Sequence, residues 1–574
     1  MKPTPHEIIH PPRGERAPDG GPVADAENYQ FKSHERPFMP GSPATPEHPQ
    51  GRRIAYIGIG VLIALTSGLS NGLLIANLPQ IQGALGITNV EGGWLMALYS
   101  ITNVCSGFLL IKARQQFGLQ RITRIFLLGF VALTGAQVLT HTYGTEVVIR
   151  SAAGIIASGF TPLGFFYIMQ GMPAKARLGG MIIGVGLTQV ALPLARAISP
   201  LLLTHGDVQS LYVFEFGLAL ICLGAIALLP LPPSGRMHVF EPLDFLTVAL
   251  FAPGMALLTA VLVQGRIIWW TTPWLGYALA GAIPLIGLAM LIEHNRANPL
   301  LNTRWMGNRA VLHFAGIAAV MRILLGEQTY GSVGLLTVMG MGPDQLVTLY
   351  AIMSAATLAG LALSVRMLNP KDLMRPVVIS VALIAIAAFM DADASNLTRP
   401  ANLYLTQAMI AFAAILFLGP TMMGGLLKAI SQGPAHMVSF SAVFGISQTL
   451  GGLAGAALLG TYQLIRERIH SAELVQQLMM TDPQVATRVQ QLGGAYGRVI
   501  GDPVLRQAQG TDLLAQQVTR EANILAFNDV FLLIGVLACL AFLWLGGRWV
   551  YLRVNNINPF AEDLAALQKM MANR

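Results

Sequence analysis

Charge is scarce in this chain. Asp, Glu, Lys and Arg make up 11% of its 574 residues, against about 25% in soluble proteins, which excludes a surface that faces water all round. Cysteine is scarcer: Cys105, Cys222 and Cys539 are the three present. All three fall inside apolar stretches, where they read as small packing residues with no disulfide or metal role. Catalytic signatures are missing as well. There is no Gly-x-x-x-x-Gly-Lys-Ser/Thr phosphate loop, so ATP-driven work is not expected. There is no His-Glu-x-x-His, no metal-spaced Cys/His set and no Gly-x-Ser-x-Gly nucleophile elbow. Nor is any polar stretch large enough for a separate catalytic domain. The sequence predicts no enzyme, no cofactor and no resident metal.

Apolar length is what the chain has in abundance. Hydrophobic residues make up 54% of it, and its mean hydropathy is +0.58. Spanning a bilayer takes about 20 mostly apolar residues in a helix, and helices satisfy their own backbone where no water can. Fourteen stretches qualify: 54–76, 93–111, 122–140, 146–170, 178–203, 210–230, 243–264, 273–292, 311–330, 345–365, 376–391, 402–427, 437–462 and 524–547. The prediction is an all-α polytopic membrane protein. Its net charge of +8 does not mark a nucleic-acid binder, because the cations are sorted by loop. With the N-terminus in the cytoplasm, the even loops and terminal flanks hold twenty Lys/Arg, whereas the short odd loops hold only Arg266 and Arg399. Positive charge stays on the cytoplasmic side, so the topology is N-in/C-in.

Two regions break the apolar pattern. Residues 1–50 carry eleven prolines among charged and small residues, a composition unable to bury a core, and they predict a disordered cytoplasmic tail. His6, His10, His34 and His48 lie there without ligand spacing. The second region, 463–523, is placed outside the cytoplasm. Ile465, Ile469, Ala472, Val475 and Leu478 recur at helical spacing, so span thirteen is expected to run on as one helix to about residue 480. Asp482-Pro483 ends it, and 503–523 brings a second helix back. Ile465, Ile469 and Leu478 are the candidate residues for docking a partner.

Ordered local matches then identify a family. The segments "IANLPQIQGALG" (75–86), "GGWLMALYSITN" (92–103), "VIRSAAGIIASG" (148–159), "LDFLTVAL" (243–250), "NPLLNTRWMGNR" (298–309), "SFSAVFGISQTLGGLAGAALLG" (439–460) and "FNDVFLL" (527–533) occur in sequence. Together they resemble the 14-helix drug:proton antiporters of the major facilitator superfamily, EmrB-like branch. That resemblance implies two six-helix halves separated by two extra helices, and export of small amphipathic or aromatic compounds by proton antiport. It also implies the inner membrane as location and a periplasmic membrane-fusion adaptor with an outer-membrane channel as partners. The organisation expected is a tail at 1–50, a first half at 51–230, linking spans at 231–310, a second half at 311–550 including the external segment, and a cytoplasmic tail at 551–574. The chain departs from the family where an acidic residue would fall near Ser70, and at Arg196-Ala197, where the Gly-Pro antiporter signature would stand.

Ionisable residues inside spans are the site candidates, since each costs roughly 3 kcal/mol at the bilayer centre unless it faces protein or water. Glu327 lies deep in span nine, the first helix of the second half on the family plan, and leads as proton-coupling or cation-binding carboxyl. Arg322 is five residues earlier, about 140° around an α-helix, and is expected to hold an anionic substrate group or another span. Arg150 matches the family's fourth-span arginine, which the resemblance assigns to proton transfer or gating. Arg196 and Glu215 lie at matched depth on spans five and six, which predicts an ion pair serving as a strut. Gly451, Gly452, Gly455 and Gly460 predict tight packing of span thirteen. Met339, Met341, Met422 and Met423 are candidates for an adaptable pocket. Two other functions are compatible with the sequence: a carrier of a specific anionic metabolite or siderophore, and a transport-inactive membrane scaffold or sensor.

Overall fold

The computed structural model describes residues 41–173, 176–203, 207–232, 234, 239–433 and 436–572. Among these the backbone is helical nearly throughout, as a chain in hydrocarbon requires. A single β-type bridge joins Pro43 and Ser234.

The first half consists of α1 (Gln50–Ala76), the short α2 (Leu78–Leu85), α3 (Asn89–Phe117), α4 (Leu119–Leu139), α5 (Tyr143–Gly171), α6 (Arg177–Leu202) and α7 (Gln209–Leu228). The linking pair α8 (Pro242–Gln264) and α9 (Pro273–His294) follows, then the one-turn α10 (Thr303–Met306). The second half opens with α11 (Arg309–Leu324), a π-helical turn at Glu327–Gly331 and α12 (Ser332–Val338), which together make one span. It continues through α13 (Val347–Arg366), α14 (Met374–Asp391), α15 (Tyr404–Ser431), α16 (His436–Gln476), α17 (Pro483–Gly494) and α18 (Pro503–Val554), and α19 (Ala561–Ala572) ends the chain. Thirteen helical stretches are long and apolar enough to cross a membrane, and the fourteenth is α3, bent by 48° between Asn89–Gly107 and Leu109–Phe117. The fourteen-span, all-α architecture read from hydropathy is the one observed.

Within the first half α1 packs on α5 and α6, and α3 packs on α5; within the second, α13 packs on α15, and α14 on α15 and α18. The halves meet along α6–α13 and α3–α16, and the linking α8 lies beside that seam against α3 and α16. One buried cluster crosses the seam, joining Ala64, Ile168, Ile182 and Leu187 to Leu361, Phe417 and Leu418. Small residues set the closest approaches, the usual route to helix association in lipid. A side chain at Gly451 would meet the backbone of Ala319, and one at Gly455 the backbone of Ile323, so α16 lies hard against α11.

Beyond the bilayer α16 and α18 run on as continuous helices, 41 and 52 residues long. At 1.5 Å per residue they measure about 60 and 80 Å. Asp529 ties them together, accepting from Arg466 Nε and bonding His470 Nε2, each at 2.6 Å. Gln463 donates to Asn523 at 2.8 Å. The α16 helix expected to run to about residue 480 ends at Gln476, and Asp482-Pro483, read as its end, instead starts α17, which folds back on α18 where Gly493 and Gly510 bring the two backbones together.

The disordered tail expected at 1–50 needs a correction at its end; residues 1–40, with His6, His10 and His34, lie outside the described residues. Residues 41–46 are buried. Ala44 O accepts from Gln170 Nε2 at 2.7 Å and Thr45 Oγ1 from Arg177 Nη1 at 3.0 Å. The extended segment satisfies polar groups at the end of α5 and the start of α6 that composition cannot reveal.

Candidate functional site

Glu327 stands at the break in span nine, where the α-helical ladder gives way to the π-helical turn. It is fully buried. Its Oε1 accepts from Gln407 Nε2 on α15 at 2.9 Å, and the same nitrogen donates to Asp391 Oδ2 at 3.2 Å. Ser332 Oγ donates to Gln407 Oε1 at 3.1 Å, which fixes the amide with its nitrogen toward the two acids. Asp391, the last residue of α14, is 3% exposed, and its carboxyl interacts directly with that of Glu327. Glu327 Oε2 is buried without a hydrogen-bond partner. Among the described residues neither acid pairs with Lys, Arg or His. Glu327 therefore points back into the second half, among spans nine, eleven and twelve. The sequence reading missed Asp391 because it closes its span and looks like a boundary residue.

Arg322 lies on another face of the same span. Its side chain runs along α16, with Nε 3.4 Å from where a side chain on Gly452 would begin. It makes no hydrogen bond, ion pair or ring contact among the described residues, so it carries an unanswered positive charge near the middle of a 30-residue span. One turn before Gly451 and Gly452, Gln448 Nε2 is also buried without a partner.

The first half holds its own charged cluster. Arg150 is 1% exposed, lies 5.8 Å over the Tyr99 ring and acts electrostatically on Glu215. Ser70 donates to Glu215, so the carboxylate absent from span one is supplied at that place by α7. Glu146, not singled out from the sequence, is buried beside them and accepts from Gln137 at 2.9 Å and Tyr212 at 3.0 Å. The expected Arg196–Glu215 ion pair does not form. Arg196 turns instead to the other half and lies 5.3 Å over the Tyr350 ring of α13, while Glu215 faces α1. Matched depth places two residues at one level, but helix rotation decides whether they face each other.

Asp244 accepts from Lys112 at 2.7 Å and pairs with Arg296 at 2.9 Å, tying α3, α8 and the segment after α9 into one buried network. It serves as a strut and N-terminal cap of α8. Met339 and Met341 line an external cavity of about 660 Å³ with Arg399, Arg488, Arg520 and Glu521, whereas Met422 and Met423 are core residues. On the external extension of α16, Ile465 and Ile469 are 44% and 40% exposed, and Leu478, just past the end of that helix, is half-buried.

Comparison with known proteins fits this architecture. Residues 60–456 match the family model of the Major Facilitator Superfamily. The chain is 23% identical over 517 residues to the multidrug export protein EmrB of Haemophilus influenzae, covering 84% of this chain and 96% of that protein. It is 21% identical to EmrB of Escherichia coli K12, covering 80% and 88%. Among solved structures, the human organic anion transporter MFSD10 superposes with a TM-score of 0.51 at 14% identity, covering 86% of this chain and all of that one. The POT family transporter PepTSo gives 0.51 at 14% identity, covering 88% and 99%; at such identity these two speak for the fold alone. A family match over more than half the chain, together with fourteen spans in two packed halves, places this membrane transporter in the Major Facilitator Superfamily.

Proposed function

We propose that this protein exports small amphipathic or aromatic compounds across the inner membrane in exchange for protons, by alternating access between its two halves. The observation that carries the reading is Glu327, a carboxyl sealed in the second half with no cation among the described residues to hold its charge. A buried intramembrane acid is by default a functional group, and one with no cation beside it suits the exchange of a proton in the work cycle. The multidrug export relatives support the substrate class. In everted vesicles bearing a pH gradient, a panel of ethidium, rhodamine 6G, salicylate and naphthoate is expected to include compounds that dissipate the gradient. Glu327→Gln is expected to abolish that response while leaving the protein in the membrane. A mutant that still dissipates the gradient would remove Glu327 from the coupling step.

A second reading rests on Arg322, whose unpaired guanidinium near mid-span suits a carboxylate-bearing substrate. Competition by salicylate and naphthoate, but not by ethidium or rhodamine 6G, would favour it over the drug-export reading.

A further inference from the structure

We infer that Glu327 and Asp391 form one two-carboxyl proton site clamped by Gln407, with Asp391 as its outer member. The inference rests on the Glu327 reading and extends it to a residue on a different span. Both acids are buried, at 0% and 3% exposure. A single amide nitrogen donates to both, at 2.9 and 3.2 Å. Two neighbouring carboxylates in a water-poor interior repel strongly, and one amide dipole does not neutralise two charges. A proton on the unpartnered Glu327 Oε2 removes one charge and supplies the donor that this oxygen lacks, turning a repulsive pair into a hydrogen-bonded one.

The charges on the surrounding elements do not relieve the pair. On span nine, Arg322 faces the glycines of α16. Arg266 lies over Tyr330, 5.3 Å from its ring. On α18, Asp529 is held by Arg466 and His470. Asp393, just past α14, is exposed. In the connection between α14 and α15, Arg399 donates to the carbonyls of Asn396 and Thr398, and the cation on α15, Lys428, is about six turns from Gln407 and stacked on Phe560.

Gln407 also favours a proton over a metal cation. A sodium ion between the acids would need oxygen ligands there, whereas the amide as placed presents its N–H₂ to both carboxyls. The site is shaped for a proton. Its placement gives a direction: Asp391 ends α14 and Gln407 is in the first turn of α15. On the predicted topology both are at the external side, so the proton reaches Asp391 first and Glu327 lies deeper.

The test uses purified full-length protein in lipid and pH-difference infrared spectroscopy, which records the C=O stretch of protonated carboxyls without requiring a known substrate. The wild type is expected to show a buried carboxyl band titrating as one proton per protein, unaffected by sodium chloride at fixed pH. Glu327→Gln and Asp391→Asn are each expected to abolish or move that same band, and Asp391→Glu to move it. A band lost in Glu327→Gln but unchanged in Asp391→Asn would overturn the pair while leaving the Glu327 reading intact. A band unchanged in Glu327→Gln, with gradient coupling retained in vesicles, would instead defeat the reading itself. Loss of the band on adding sodium would overturn the assignment to a proton. Should Asp391→Asn fail to insert, Asp391→Glu decides, and an unmoved band overturns the proposal.

Discussion

Arg150 is the largest fully buried side chain among the described residues, and Glu215 and Glu146 near it are both acids. Arg150 Nε and Nη2 are buried without hydrogen-bond partners, so the cation and these acids act on each other through space. The loss of Arg150 then costs less than the roughly 3–5 kcal/mol of breaking a contacting buried pair. Arg150→Met is therefore expected to lower the thermal stability of the detergent-solubilised protein, and Arg150→Met with Glu215→Gln to recover part of the loss. A double variant no more stable than the single one would show that Arg150 answers some other group. At this scale the sequence reveals an acid flanked by apolar residues, as at Glu327, because nothing else explains such a cost. It hides Asp391 and Glu146, which sit at helix ends where acids are ordinary. It also hides the substitution of Glu215 for an acid near Ser70, since the compensating group comes from a different span.

Span positions are legible because a bilayer demands length, and all fourteen appear where hydropathy puts them. Helix rotation is not legible. Spans that are apolar on most sides carry little amphipathic signal, so the partners of Arg196 and Glu215 could not be read. The π-helical turn at Glu327–Gly331 adds to this, because it inserts a residue into the turn and rotates everything beyond it relative to a regular α-helix. The external helices are the opposite case: helical spacing past the bilayer, stopped at Asp482-Pro483 and resumed at Pro503, announces the extensions of α16 and α18, but not α17 between them. On α16 they expose Ile465 and Ile469, one turn apart, and these are the residues proposed for adaptor docking. Deleting 470–515 is expected to abolish efflux from whole cells while preserving membrane insertion and gradient coupling in everted vesicles, where no outer membrane need be crossed. Whole-cell efflux that survives the deletion would rule the docking role out.

The proposed alternating access requires the two halves to separate on one side while closing on the other, and on that mechanism a seam packed as tightly as this one opens during the cycle. The α6–α13 contact offers the cleanest place to stop it. A side chain added at Gly179 would begin 3.4 Å from Val365 Cγ1, in van der Waals contact across the seam, which makes the two positions candidates for a cysteine pair. Both positions lie at the cytoplasmic ends of their spans on the charge-derived topology. In a background with Cys105, Cys222 and Cys539 replaced, Gly179→Cys with Val365→Cys is expected to transport when reduced and to stop when oxidised, with recovery on reduction. The bond spans one helix pair and leaves Glu327, Asp391 and Arg322 untouched, so a block would be mechanical. Undiminished transport by the oxidised protein would mean that the cytoplasmic seam stays closed throughout the cycle. The halves would then have to exchange substrate by a smaller movement around the buried acids.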